Sequence, residues 1–122
     1  MRVLVVDGAN VVGSRPNGWW RDRAGAADRL HRAIAAADLG YDLVVLVLEG
    51  DARHGHPVDE YGAIRTVHAH GSGDDEVVEQ VRTRLTEGDE VVVVTADRVL
   101  RERVAAEGSS SVGPSWLLAR TS

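Results

Sequence analysis

Hydrophobic positions along this chain come in two forms, short unbroken runs and stripes at helical spacing. Val3-Leu4-Val5-Val6, Leu43 to Leu48 and Glu90 to Val94 are runs rich in Val and Leu, each ended by polar residues. Such runs are too short for a buried helix and lack the alternation of a half-wet strand, so each predicts a strand buried on both faces. Between them, Ala26, Ala27, Leu30, Ala33, Ile34 and Ala37 make an apolar stripe that ends before Gly40. A second stripe, Val77, Val78, Val81 and Leu85, stops at Glu87-Gly88-Asp89, and a third, Val99, Leu100, Val104 and Ala105, stops at Gly108. Each has the spacing and the polar or Gly ending of an amphipathic helix. Ile64 to His70 alternates and fits a shorter strand near a sheet edge; Ser109 to Val112 fits a last edge strand. Ser115-Trp116-Leu117-Leu118 is an apolar tail expected to pack back on the sheet. Strands alternating with helices predict an α/β fold, a mainly parallel sheet of about five strands with right-handed crossovers.

The connecting stretches are turn-rich: Ser14-Arg15-Pro16-Asn17-Gly18, Ala52 to Pro57, and Gly71-Ser72-Gly73-Asp74-Asp75-Glu76, whose Ser or Asp can cap the helix that follows. No repeat or linker divides the chain, and 122 residues suit one domain, 1–122, with its own core. There is no cysteine, which excludes disulfides, a thiol nucleophile and zinc-thiolate sites. With no long apolar run and no signal-peptide layout, the expected location is cytoplasmic, away from membranes. Every cationic side chain is Arg, and the net charge of -5 excludes a general electrostatic trap for nucleic acid. Local clusters can still bind phosphate.

The acids carry more information, because they fall at strand ends and helix starts: Asp7, Glu49, Asp51, Asp74, Asp75 and Asp97. In a parallel sheet these positions share the carboxyl edge, where α/β folds bind ligands. Like charges gathered there need a compensating cation. Oxygen ligands of this kind suit Mg²⁺ or Mn²⁺, and such ions serve phosphodiester hydrolysis. Singly, each acid also has a structural role open to it: Asp7 starting a turn, Asp74 to Glu76 favouring a helix dipole, Asp97 capping a helix.

Val-Val-Asp-Gly-Ala-Asn-Val-Val (5–12), Gly-Asp-Asp-Glu-Val-Val-Glu (73–79) and Val-Val-Thr-Ala-Asp-Arg-Val-Leu (93–100) resemble, in order and spacing, the three motifs of NYN domains. These domains belong to the PIN-like superfamily of metal-dependent ribonucleases. The resemblance implies a Rossmann-like three-layer sandwich and a metal-dependent endoribonuclease acting on single-stranded or structured RNA. It implies Asp7, Asp75 and Asp97 as catalytic metal ligands for Mg²⁺ or Mn²⁺, with Asp74 beside or instead of Asp75, and Asn10 and Thr95 shaping the site. Many relatives carry an Asp after the second strand; here Glu49-Gly50-Asp51 stands there, and either acid can fill the place.

Trp19 and Trp20, beside Arg15, Arg21 and Arg23, suit a patch that stacks unpaired bases and binds their phosphates, and equally a core anchor beside a solvated helix face. Arg98, next to Asp97, is a further candidate phosphate ligand. His54, His56, His68 and His70 form two His-x-His pairs on different elements, so they read as exposed or edge histidines rather than a zinc site. Alternatives to the nuclease are a degenerate RNA- or nucleotide-binding or adaptor domain, a nucleotide phosphohydrolase, or the toxin of a toxin–antitoxin pair with an antitoxin as partner. The Trp116-Leu117-Leu118 tail is compatible with a homodimer.

Overall fold

The computed structural model describes residues 1–122. Six strands form one sheet: β1 (Arg2–Asp7), β2 (Leu43–Leu48), β3 (Asp59–Tyr61), β4 (Ile64–His68), β5 (Glu90–Val94) and β6 (Ser110–Val112). Five helices accompany them: α1 (Gly8–Gly13), α2 (Arg23–Ala36), α3 (Gly73–Thr86), α4 (Arg98–Glu107) and α5 (Pro114–Thr121). The strand order is β3-β4-β2-β1-β5-β6, and every pairing is parallel except β3 with β4.

The unbroken apolar runs do what their composition demands. Successive side chains of a strand point to opposite faces, so β1 sends Leu4 and Val6 to one core and Val3 and Val5 to the other. β2 and β5 divide in the same way. The first core is closed by Val11, by Ala27, Leu30 and Ile34 of α2, and by Leu117 of α5. The second is closed by Val77, Val78 and Val81 of α3 and by Leu100 and Val104 of α4. This is a three-layer α/β sandwich of Rossmann-like type.

Chain order fixes where the site can be. From β1 the chain moves outward through β2 to β4 and β3, then returns to the other side of β1 to form β5 and β6. The direction of travel reverses between β1 and β5. In open α/β sheets the crevice beyond the carboxyl ends of the strands at such a reversal is the ligand site.

Three sequence expectations need correction. The sheet has six strands rather than five, because Asp59–Tyr61 pairs antiparallel to Ile64–Arg65-Thr66 and covers the edge expected at β4. That strand is three polar or aromatic residues joined by a turn in which Gly62 takes φ 59°, so it carries no hydrophobic pattern. β4 ends at His68, not His70, as the chain leaves the sheet for the loop to α3. The residues after Asp7 form a helix at once rather than a turn. Gly8 makes that possible: a Cβ there would lie 2.5 Å from the Val47 carbonyl oxygen.

The apolar tail is a helix turned inward, and this removes the basis for the homodimer. Leu117 is fully buried, and Trp116 meets Tyr41 edge-on at 6.1 Å with the Arg120 guanidinium over its ring at 4.3 Å. No helix is long and apolar enough to cross a membrane.

Candidate active site

Asp7 ends β1 and is 5% exposed, with its carboxylate held from two sides. The Asn10 backbone N–H donates to Oδ1 at 3.4 Å, which makes Asp7 the N-cap of α1. The Thr95 hydroxyl, itself fully buried just past β5, donates to Oδ2 at 3.0 Å. Thr95 Oγ1 in turn accepts from the Asp97 N–H at 3.2 Å, while Asn10 Oδ1 accepts from the Ala96 N–H at 2.8 Å. Asn10 and Thr95 therefore brace the β5–α4 loop against α1 and Asp7. Asp97 caps α4 by accepting from the Leu100 N–H at 2.9 Å.

The second pair of acids arrives from the other side of β1. Glu49, just past β2, accepts from the Gly73 N–H at 2.8 Å, and a Cβ on Gly73 would meet the Glu49 carboxyl carbon at 2.8 Å. A side chain at position 73 would push the Glu49 carboxylate off this bond. Asp74 then lies in the first turn of α3, which Ser72 caps through the Asp75 N–H at 3.4 Å.

The charges of these four acids act on one another. Burial pushes the Asp7 carboxyl up to about 6; the Thr95 and Asn10 hydrogen bonds oppose this, and the charges of Asp74 and Glu49 add to it. Asp74 is raised too, by burial first, then by Asp97 and Glu49. Desolvated like charges without a bound counter-cation are costly, and part of that cost is relieved by protonation. The remaining sequence candidates lie apart. Asp75 is exposed and ion-paired with Arg103 of α4 at 3.0 Å. Asp51 is exposed on a 3-10 turn, Gly50–Gly55, beyond Glu49.

A cavity of about 480 Å³ opens beside Glu49, lined by Gly8, Val12, Trp19, Arg23, Leu48 and Glu49 among others. Its size falls in the range of small-molecule sites, roughly 300–1,000 Å³. Trp19, on a 3-10 turn (Trp19–Arg21), has the Arg23 guanidinium 5.3 Å from its ring centre. Trp20 meets Trp19 edge-on at 6.1 Å and is 53% exposed. Arg98 is exposed at the start of α4, immediately after Asp97. Arg15 lines a separate cleft between α1, α2 and α5.

Three donor atoms within 4.8 Å of one another occur elsewhere, in His31, His56 and Asp59. His31 was not among the sequence candidates. Its signal is a histidine on the buried face of α2, in line with Ala27, Leu30 and Ile34. This cluster could hold a metal ion, and it sits at the β3 edge of the sheet rather than at the carboxylates.

No protein-family model and no curated protein matches this sequence. Among solved structures the chain is similar to Rae1 (YacP) from Bacillus subtilis, with a TM-score of 0.61 and 17% identity over 98% of this chain and 72% of that one. A mutant form of the same protein gives a TM-score of 0.64 and 17% identity over 98% and 74% of the two chains. The likeness is one of fold, spanning nearly the whole of this chain.

Proposed function

We propose that this chain is a metal-dependent endoribonuclease of the NYN type, acting on unpaired RNA. The observation that carries the reading is the buried Asp7 at the reversal point of the sheet, facing the charges of Glu49 and Asp74, with Asp97 joined to the same field through Asp74. Four acids converging on one crevice suit a hard divalent cation, which binds through one or two carboxylates and keeps waters for the rest. Asp7, Glu49, Asp74 and Asp97 would hold Mg²⁺ or Mn²⁺, Asp74 taking the place that the motif resemblance offered to Asp75. Bound there, such an ion supplies charge neutralisation at a scissile phosphate and acidifies a water.

The chain's own residues supply the rest. The Thr95 and Asn10 bonds hold Asp7 in one orientation. The apolar lining of the cavity and the Trp19 ring accept a base beside Glu49, and Arg23 in the cavity wall and Arg98 at the start of α4 neutralise flanking phosphates. A duplex keeps its bases stacked inside, so a site built this way favours unpaired RNA.

The test is cleavage of a labelled single-stranded RNA with Mg²⁺, Mn²⁺ or chelator. The parent protein cuts only with metal, and Asp97→Asn lowers the rate roughly a hundredfold or more. Asn is as good an N-cap as Asp, so α4 keeps its start and the loss reports the charge. RNA binding without cleavage by the parent would sink the nuclease reading and leave a binding module. Trp19→Ala raises KM about tenfold with little change in kcat, as expected when base stacking supplies 1–3 kcal/mol. Trp20→Ala is the matching exposed control. A fall in kcat at unchanged KM would move Trp19 from substrate binding to support of the carboxylates.

A further inference from the structure

We infer that His31, His56 and Asp59 form a second metal site, for a transition-metal dication such as Zn²⁺, which clamps α2 to the β3–β4 hairpin. The site is separate from the carboxylate crevice and does not rest on the nuclease reading. Two imidazoles and one carboxylate are the donor set of such ions, whereas Mg²⁺ prefers oxygen alone.

Two buried polar atoms call for a partner here. His31 is 4% exposed, and its Nε2 has no hydrogen-bond partner. Thr66 is fully buried, and its Oγ1 has none either. Thr66 stands directly opposite Asp59 in the β3–β4 ladder, and residues so paired project to the same face. That face is the one α2 covers, since Ile64, two residues before Thr66, packs in the α2 core. An unsatisfied buried polar atom is destabilising, and two at one contact, one on α2 and one on the strand beneath it, mark a place built for something more.

The cluster is also held in shape. His56 lies parallel to His31, with ring centres 3.6 Å apart and planes 15° from each other. His56 Nε2 meets both oxygens of Asp59 at 3.0 Å. The His56 carbonyl is pinned by His68 Nε2 at 2.7 Å. In this arrangement the ring lone pairs run nearly side by side, so coordination requires one ring to turn. His56, in the loop before β3, is the one with room, its side chain being 17% exposed. With that ring turned, the dication would be held by one nitrogen each of His31 and His56 and a carboxylate oxygen of Asp59.

The experiment is calorimetric titration of the full chain, without a His tag, with Zn²⁺, and with Co²⁺ read by its visible absorption. With Mg²⁺ in large excess to occupy the carboxylate crevice, one equivalent binds, the melting temperature rises, and Co²⁺ shows the intense bands of a four- or five-coordinate site. His31→Gln and Asp59→Asn each weaken binding at least about tenfold, while Asp7→Asn leaves it unchanged. Should His31→Gln fail to fold by circular dichroism, Asp59→Asn, at the sheet edge, carries the test alone. Absence of Zn²⁺ binding by the parent, or binding that survives Asp59→Asn but is lost in Asp7→Asn, overturns the proposal. The RNA assay is independent: cleavage can fail while this site binds, and the reverse.

Discussion

Asp7→Asn makes the metal-free protein more stable at pH 7.5 and at the same time abolishes RNA cleavage. The carboxyl titrates at about 6 in the folded chain, against an ordinary value of 3.8, because burial penalises its charge. Between those two values the folded state binds more protons than the unfolded one, so stability falls as pH rises from about 4 to about 6. Above about 6 the full penalty persists. Asn removes the charge while its amide oxygen still accepts from Thr95 or caps α1. The rise from 3.8 to about 6 corresponds to a gain of at most about 3 kcal/mol at pH 7.5, reduced by the one of the two hydrogen bonds that Asn cannot accept, and the gain vanishes below about pH 4, where Asp7 is protonated in both states. Thermal or urea melts of the two proteins across pH 4–8, with chelator present, measure this. Mg²⁺ or Mn²⁺ should then stabilise the parent more than the variant, since a ligand that binds only the folded state adds stability by mass action. A variant less stable than the parent at pH 7.5, or parallel pH profiles, would show that Asp7 is not held in an unfavourable charged state.

Gly8→Ala has the largest expected cost to the fold. The new methyl would lie 2.5 Å from the Val47 carbonyl oxygen and 3.1 Å from Leu48 Cδ2. Val47 belongs to a central strand whose backbone pairs on both sides, so it cannot give way as a flexible side chain would. Overpacking of a core typically costs 1–3 kcal/mol, and contact with backbone belongs at the upper end, about 3 kcal/mol. For a domain of this size that lowers Tm by roughly 10 °C. Because α1 must shift away from β2, Asn10 leaves the Ala96 N–H and Asp7 loses the Asn10 N–H that it caps. RNA cleavage by the surviving folded fraction therefore falls as well. Calorimetry with Gly13→Ala as a control isolates the clash, since a Cβ at Gly13 meets only the Trp19 ring, at 3.5 Å.

The α/β class, the buried strands β1, β2 and β5, the three long helices and the acid after each central strand follow from the sequence alone. Buried parallel strands must be apolar on both faces, and their loops must change chemistry abruptly at the carboxyl edge, so Asp7, Glu49 and Asp97 stand out against the Val and Leu before them. Other features depend on contacts between residues distant in the chain. The choice between Asp74 and Asp75 is one, because adjacent residues on a helix face about 100° apart and only packing of α3 against Glu49 decides which faces the crevice. Asn10 and Thr95 are another: their hydrogen bonds join residues 86 and 88 positions apart. The strand at Asp59–Tyr61 has too few apolar residues to show a period, and it exists because β4 offers it an edge. The grouping of His31 with His56 and Asp59 is the clearest case. One of these residues lies on a helix, one in a loop and one on a strand, so no spacing relates them. Local periodicity reports which face of an element is buried; which side chains then meet is settled only when the elements pack.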